Sequence, residues 1–341
     1  MNYLFLIIGF VLLIAIIFDV IWTTLWVDGG GGPLSNLVAD FIWYIFGKLD
    51  KKGTGFKKFV GPVVLMLVLV FWISVLWIAW TLIFASFKGG VENTARNDAI
   101  TMVDYLYYAG YVLFTLGNGE ITPTNGTVQL LTSLASASGM LNLSLAVSYI
   151  LSMISGVIKR RSFATTISGM AKSPEELVLN MWDGEKFYNC DMIFHTLADQ
   201  LSEISFEQRA FPLLNYYHSS DKYKSIAYTM PILYDSLNIL EYGVKSKEVI
   251  NPLILKNIRS TIIDFLESFV KFTEKEDKDS VFITFPKLNL LKEAGIEVVS
   301  EQEFEMKLKE LKRCRKQISH IYWDNWSGLK PYESDHTTET I

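Results

Sequence analysis

The ten residues Phe114 to Pro123, FTLGNGEITP, carry the residue types with the most specific chemistry in the chain. Gly117 and Gly119 flank Asn118, directly behind Thr115 and Leu116 and directly before the carboxylate of Glu120. Glycine tolerates backbone angles closed to other residues, so a Gly-Asn-Gly run lets successive carbonyls turn the same way instead of alternating. Carbonyls aimed at one axis can replace the water around a cation. Asparagine followed by glycine is equally a common tight-turn signal, so the flanking elements have to decide between a turn and an ion path.

Ahead of the glycines, Ile100, Val103, Tyr107, Tyr111 and Phe114 recur at helical spacing, which predicts a helix between Asp98 and Phe114. Behind them, Ile121-Thr122-Pro123-Thr124 leads into an apolar segment from Val128 to Ile158. A spanning segment, a short helix, a glycine-rich stretch and a second spanning segment are the layout of a pore loop. Such a loop can lie at membrane depth only where protein buries it or where it lines a watery path, because lipid cannot satisfy its backbone.

Thr115-Leu116-Gly117-Asn118-Gly119-Glu120 resembles the potassium-channel filter, usually written TVGYGD, in the variants of bacterial two-helix-pore channels. The resemblance runs roughly from Val60 to Arg161. Within it, Leu116 stands for valine, Asn118 for tyrosine, Glu120 for aspartate, and Phe114 for a second threonine. The resemblance implies that carbonyls of Thr115, Leu116, Gly117 and Asn118, together with the Thr115 hydroxyl and the turn at Gly119, line the path of a permeant cation. It also implies four copies around an axis, since one loop cannot enclose a path. In the family the filter tyrosine packs against the pore helix and holds the filter's width; asparagine in its place would allow a channel that barely separates Na+ from K+.

The elements that must position this loop follow from hydropathy. Half of the residues are hydrophobic and mean hydropathy is +0.26, high for a soluble protein and low for a wholly embedded one. Tyr3 to Val27 is apolar apart from Asp19 and long enough for a span, which needs about 20 residues. No Lys or Arg precedes it and its apolar run is longer than a signal peptide's, so a helix that stays in the membrane is expected. After Gly29 to Gly32, the residues Leu34, Leu37, Val38, Phe41, Ile42, Ile45, Phe46 and Leu49 predict an amphipathic helix, either along the membrane surface or packed on a neighbouring domain. A second span runs from Phe59 to about Phe87 and the third from Val128 to Ile158.

Charge sets the orientation. The loop before the second span holds lysines at 48, 51, 52, 57 and 58, and the third span ends in Lys159-Arg160-Arg161, whereas Lys88 to Asp104 is mixed. Basic loops mark the cytoplasmic side. The N-terminus and the pore loop are therefore expected outside, and the C-terminal half in the cytoplasm.

From Ser162 the pattern becomes polar and helical. Residues 1–171 carry ten Lys/Arg and eight Asp/Glu, net +2, so the rest carries −7 of the overall −5, an acidic balance that argues against nucleic acid as a partner. Cys190 and Cys314 have no CxxC neighbour, and His195, His218, His320 and His336 lack metal-ligand spacing. No cofactor motif, phosphate loop or nucleophile elbow appears, so the sequence does not read as an enzyme and the chemistry of any cytoplasmic ligand is not legible. Ser173-Pro174-Glu175-Glu176 reads as a helix start, and Ile226 to Tyr242, Leu253 to Glu274 and Glu301 to Trp326 suit helices of a bundle, with breaks near Pro231, Pro252 and Pro286.

The expected architecture is an all-α membrane protein with three transmembrane helices, a re-entrant pore helix and filter, and a mostly helical cytoplasmic domain. Residues 1–58 hold the first span and interfacial helix, 59–161 the pore domain, 162–330 the cytoplasmic domain and 331–341 a disordered tail. The expected function is a homotetrameric, K+-conducting channel embedded in lipid, its gate biased by the cytoplasmic domain. A membrane anchor for a signalling domain is the reading from a different class.

Other candidate positions accompany the filter. Ser136, Ser144, Ser148 and Ser152, with Thr132 and Asn142, form a polar stripe on the third span, read as pore lining or as close helix packing. Gly139 or Gly156 is a candidate hinge for a gate, or a packing glycine. Glu120 at the outer mouth would concentrate cations. Asp19 is either functional or a hydrogen-bonded residue between helices.

Overall fold

A computed structural model describes residues 1–26, 30–49, 57–95, 98–219, 221–246, 249–273, 285–311, 314 and 317–318. The expected tail, 331–341, lies outside these residues, as do Lys51 and Lys52 of the basic loop. The chain divides into two units: Met1–Ile154 together with Ala210–Tyr217, and Ser155–Arg209 together with the described residues from His218 onward.

In the first unit, α1 (Tyr3–Leu25) buries Gly9, Leu13, Ile16, Asp19, Val20 and Thr23, a stripe at helical spacing. It leaves Leu4, Ile7, Val11, Ile14 and Phe18 exposed, the pattern of a helix with protein on one side and lipid on the other. α2 (Pro33–Leu49) is the expected amphipathic helix. Ala39 and Ile42 are buried in the unit, while Leu37, Phe41 and Tyr44 remain exposed. α3 (Lys57–Ser86) is the second span and packs along α1, where a Cβ at Gly9 would come within 2.8 Å of Ile83. α1, α3 and the helix Gly126–Met170 are each long and apolar enough to cross a membrane.

β1 (Val91–Asn93) then leads to the pore helix α4 (Met102–Leu113), and β2 (Ile121–Pro123) returns to pair antiparallel with β1, Glu92 opposite Thr122. Pattern reading had no signal for this hairpin, because each strand is three residues long. Thr101 and Asp104 form a reciprocal capping box that starts α4.

α5 (Gly126–Met170) is longer than the apolar segment that marks it. The helix does not stop at Ile158 but continues through Lys159-Arg160-Arg161, since nothing in Ser162 to Met170 breaks it and Phe163 and Ile167 are buried in the second unit's core. The boundary between the units falls inside α5, between Ile154 and Ser155.

The second unit is a helical bundle. α6 (Pro174–Asn180) begins as its sequence predicts, with the Ser173 hydroxyl accepting the Glu176 N–H at 3.1 Å and proline in the first turn. α7 (Cys190–Ala210) follows, then α8 (Ile226–Asn238), in which every residue is buried. A helix buried all round is the centre of its bundle. The break expected near Pro231 does not occur: proline sits within α8, and the helix ends instead in a π-turn, Ile239–Gly243. The surrounding packing holds the helix despite the hydrogen bond that proline removes. α9 (Pro252–Thr273) starts on its proline, and α10 (Asn289–Glu293) and α11 (Glu301–Glu310) complete the described bundle. Burial pushes the Cys190 thiol up to about 11, which keeps it protonated and chemically quiet at neutral pH.

Candidate ion-conduction site

α4 ends at Leu113, and the seven residues Phe114 to Glu120 are all exposed in the isolated chain, between buried Leu113 and buried Ile121. Their backbone alternates. Thr115, Gly117 and Gly119 have φ of +56°, +63° and +73°, while Leu116 and Asn118 do not enter the positive-φ region. In an extended strand successive carbonyls point to opposite sides; a left-handed residue at every second position reverses that alternation and brings carbonyls to a common side. The glycines supply this conformation without penalty, whereas Thr115 adopts it against its own preference.

The turn into this stretch is fixed by backbone. Leu116 N–H donates to Tyr111 O at 2.8 Å and Phe114 N–H to Gly110 O at 2.9 Å. At the far end, Thr94 N–H donates to Glu120 O at 2.8 Å and its hydroxyl to the same oxygen at 3.1 Å, so the segment after β1 holds the exit. Side chains of α4 do the rest. Tyr111 Oη donates to Ile121 O, and Asn118 Nδ2 donates to Tyr107 Oη. Neither Gly117 nor Gly119 has any atom within 4 Å of where a Cβ would stand, so it is conformation and not crowding that calls for glycine there.

α4 is in turn held by α3 and α5. Trp77 Nε1 donates to Leu106 O at 2.8 Å, and its ring meets Phe114 edge-on at 5.9 Å. Trp80 Nε1 donates to Ser138 Oγ of α5 at 2.9 Å, and Tyr108 shares a hydrogen bond with Thr132. A Cβ at Gly139 would come within 2.5 Å of Leu113 O, a close approach of α5 to the end of α4 that accounts for glycine at this position without any bend.

Of the remaining sequence candidates, Ser144 and Ser148 are exposed on α5, Ser136 and Ser152 are half-buried, and the Ser152 hydroxyl donates to its own helix at Ser148 O, 3.0 Å away. Glu120 is exposed at the far end of the glycine-rich stretch. Asp19 is fully buried, and its carboxylate accepts from Leu34 N–H at 2.8 Å, from Ser35 N–H at 3.2 Å, from the Ser35 hydroxyl and from Trp72 Nε1. This is the interhelical structural role: Asp19 caps α2 from another helix. Among the described residues no cluster of three His, Cys, Asp or Glu could hold a metal ion.

Sequence reasoning used Tyr107 and Tyr111 only as part of a periodic apolar face and missed their hydroxyls; the run Tyr105, Tyr107, Tyr108, Tyr111 was the available signal. It also missed Ala210–Tyr217, which leaves the second unit and packs in the first. There Phe211 meets Tyr149 at 5.7 Å, the Tyr216 ring lies tilted against Trp43 at 5.6 Å and its hydroxyl donates to Asp40 at 3.1 Å, and Tyr217 occupies the space that a Cβ at Gly61 would fill.

Residues 65–156, from α3 through Thr115–Gly119 into α5, match a family model described as ion channel. Over 325 residues the chain is 31% identical to the uncharacterized membrane protein YdjJ of Bacillus subtilis (strain 168), a match covering 94% of each chain. No solved structure matches it.

Proposed function

The chain belongs to the potassium-channel pore-loop family of ion channels, and from that premise we propose that it is a homotetramer that conducts K+ through Thr115 to Gly119. It is a membrane channel and not an enzyme. The observation that carries the conducting reading is the alternation of positive φ at 115, 117 and 119 along an exposed stretch between the pore helix and the last span. Carbonyls turned to a common side along an exposed stretch are what a ring of copies would close around a dehydrated cation. Glu120 lies at the outer mouth, and Ser136, Ser144, Ser148 and Ser152 line the wider path below. The N-terminus is outside and the second unit cytoplasmic, as the lysines of the loop before α3 and Lys159-Arg160-Arg161 favour.

The cytoplasmic unit biases the gate. The support is Ala210–Tyr217: flanked in the chain by helices of the second unit, it packs against α2, α3 and Tyr149 of α5 in the first. A shift between α7 and α8 thereby acts on the helix that lines the path.

The test is cation flux through purified protein reconstituted in liposomes. Wild type conducts, Gly117→Ala does not, and Gly126→Ala, at an open position without positive φ, conducts like wild type. Flux that survives Gly117→Ala rejects the filter. Reversal potentials in mixed Na+ and K+ then read selectivity, and a ratio near one replaces the K+-selective version with a weakly selective one.

A further inference from the structure

The filter stretch is unusual in how little touches it. Its glycines face open space, its residues are exposed, and the Asn118 side chain donates to Tyr107 Oη of the pore helix. Tyr107 does not stand alone. Its ring meets Tyr111 edge-on at 5.6 Å, Tyr111 meets Tyr108 edge-on at 5.3 Å, and Tyr108 is almost fully buried against Phe84, centroids 4.8 Å apart. The chain of rings runs from the buried face of α4 to its exposed edge. Tyr111 Oη holds Ile121 O just beyond the filter, and Tyr107 Oη holds Asn118 within it. Two tyrosines one helical turn apart thus tie two points of the bend to one rigid helix.

We infer that Tyr107 is a positioning residue for ion selectivity: through its hydroxyl and the Asn118 amide it sets how far the Gly117 and Asn118 carbonyls stand from the path's axis. This rests on the channel reading above. A short amide cannot reach a packed helix by itself, and a tyrosine on α4 supplies the missing length with only two rotatable side-chain torsions. The tie is charge-free and leaves the carbonyls available to the ion. With it cut, the backbone at Asn118 relaxes toward conformations in which the carbonyl spacing no longer discriminates by ionic radius.

The experiment measures the Na+ to K+ permeability ratio of reconstituted wild type, Tyr107→Phe, Asn118→Ala and the double variant, with tetramer elution checked for each. Tyr107→Phe removes only the hydroxyl and keeps the ring contacts, so it separates the tie from packing. Each single variant is expected to move the ratio toward one by about three- to tenfold, the change a single hydrogen bond supports. The double variant is expected to move it no further than either single, since both cut the same tie. Ratios unchanged in both singles overturn the inference, as do effects that multiply in the double variant. Loss of flux to all cations in equal measure, with the ratio preserved, marks a structural role only and also overturns it. Wild-type protein without flux that Gly117→Ala abolishes fails at the earlier step: the channel reading falls, and this inference with it.

Discussion

The carboxylate of Asp19, on α1, accepts the backbone N–H of Leu34, in the first turn of α2, at 2.8 Å. One oxygen pair thereby caps α2 from inside the first unit and, through Trp72 Nε1, ties both helices to α3. Thr23 completes the junction by accepting the Gly32 N–H at 2.8 Å. A Cβ on Gly32 would come within 2.3 Å of the same carboxylate, so the glycine is needed where the chain passes it.

Asp19→Ala leaves the Leu34 and Ser35 N–H groups without their acceptor, at about 1–3 kcal/mol for each, while Trp72 Nε1 keeps Ser35 Oγ at 2.9 Å. The expected outcome is a lower thermal unfolding midpoint of the detergent-solubilised protein, with Asp19→Asn, which keeps one acceptor oxygen, in between. Because the role is structural, ion selectivity in Asp19→Asn should match wild type. A variant as stable as wild type but altered in selectivity would reverse the assignment.

Gly139→Ala drives a methyl group into Leu113 O, and the backbone there cannot move without shifting Phe114 and Thr115 behind it. Overpacking of this kind costs about 1–3 kcal/mol. Flux and thermal stability should fall together. A variant that stays fully stable yet is locked open or shut would instead favour the hinge reading of this glycine.

Phe211→Ala and Tyr216→Phe loosen the segment that joins α7 and α8 to the membrane unit, the first by removing a ring from Tyr149, the second by removing the hydroxyl from Asp40. Single-channel recordings should show a changed open probability with the Na+ to K+ ratio unaltered, since neither residue touches the filter. Wild-type open probability in both variants would remove this segment from gating.

The three spans, the amphipathic helix, the pore helix and the glycine-rich turn were legible in the sequence, because each depends on local chemistry. A stretch of apolar residues as long as a bilayer is thick and a glycine pair with a positive-φ signature mean the same thing wherever they occur. The helix start at Ser173 was legible for the same reason, since a cap and its partner are three residues apart.

What only the tertiary structure decided are relations between residues far apart in the chain. The sequence exposes a carboxylate in an apolar helix but not the N–H groups it caps. It shows an asparagine between two glycines but not the tyrosine hydroxyl that receives it, because period-matching counts Tyr107 as apolar and is blind to its oxygen. Proline at 231 and basic residues at 159 to 161 argue locally for breaks, yet α8 and α5 run through them, since burial in the bundle outweighs one lost hydrogen bond and the apolar run resumes at Phe163 and Ile167. Local physics named the elements; the packing between them assigned Asp19, Tyr107 and Ala210–Tyr217 their partners.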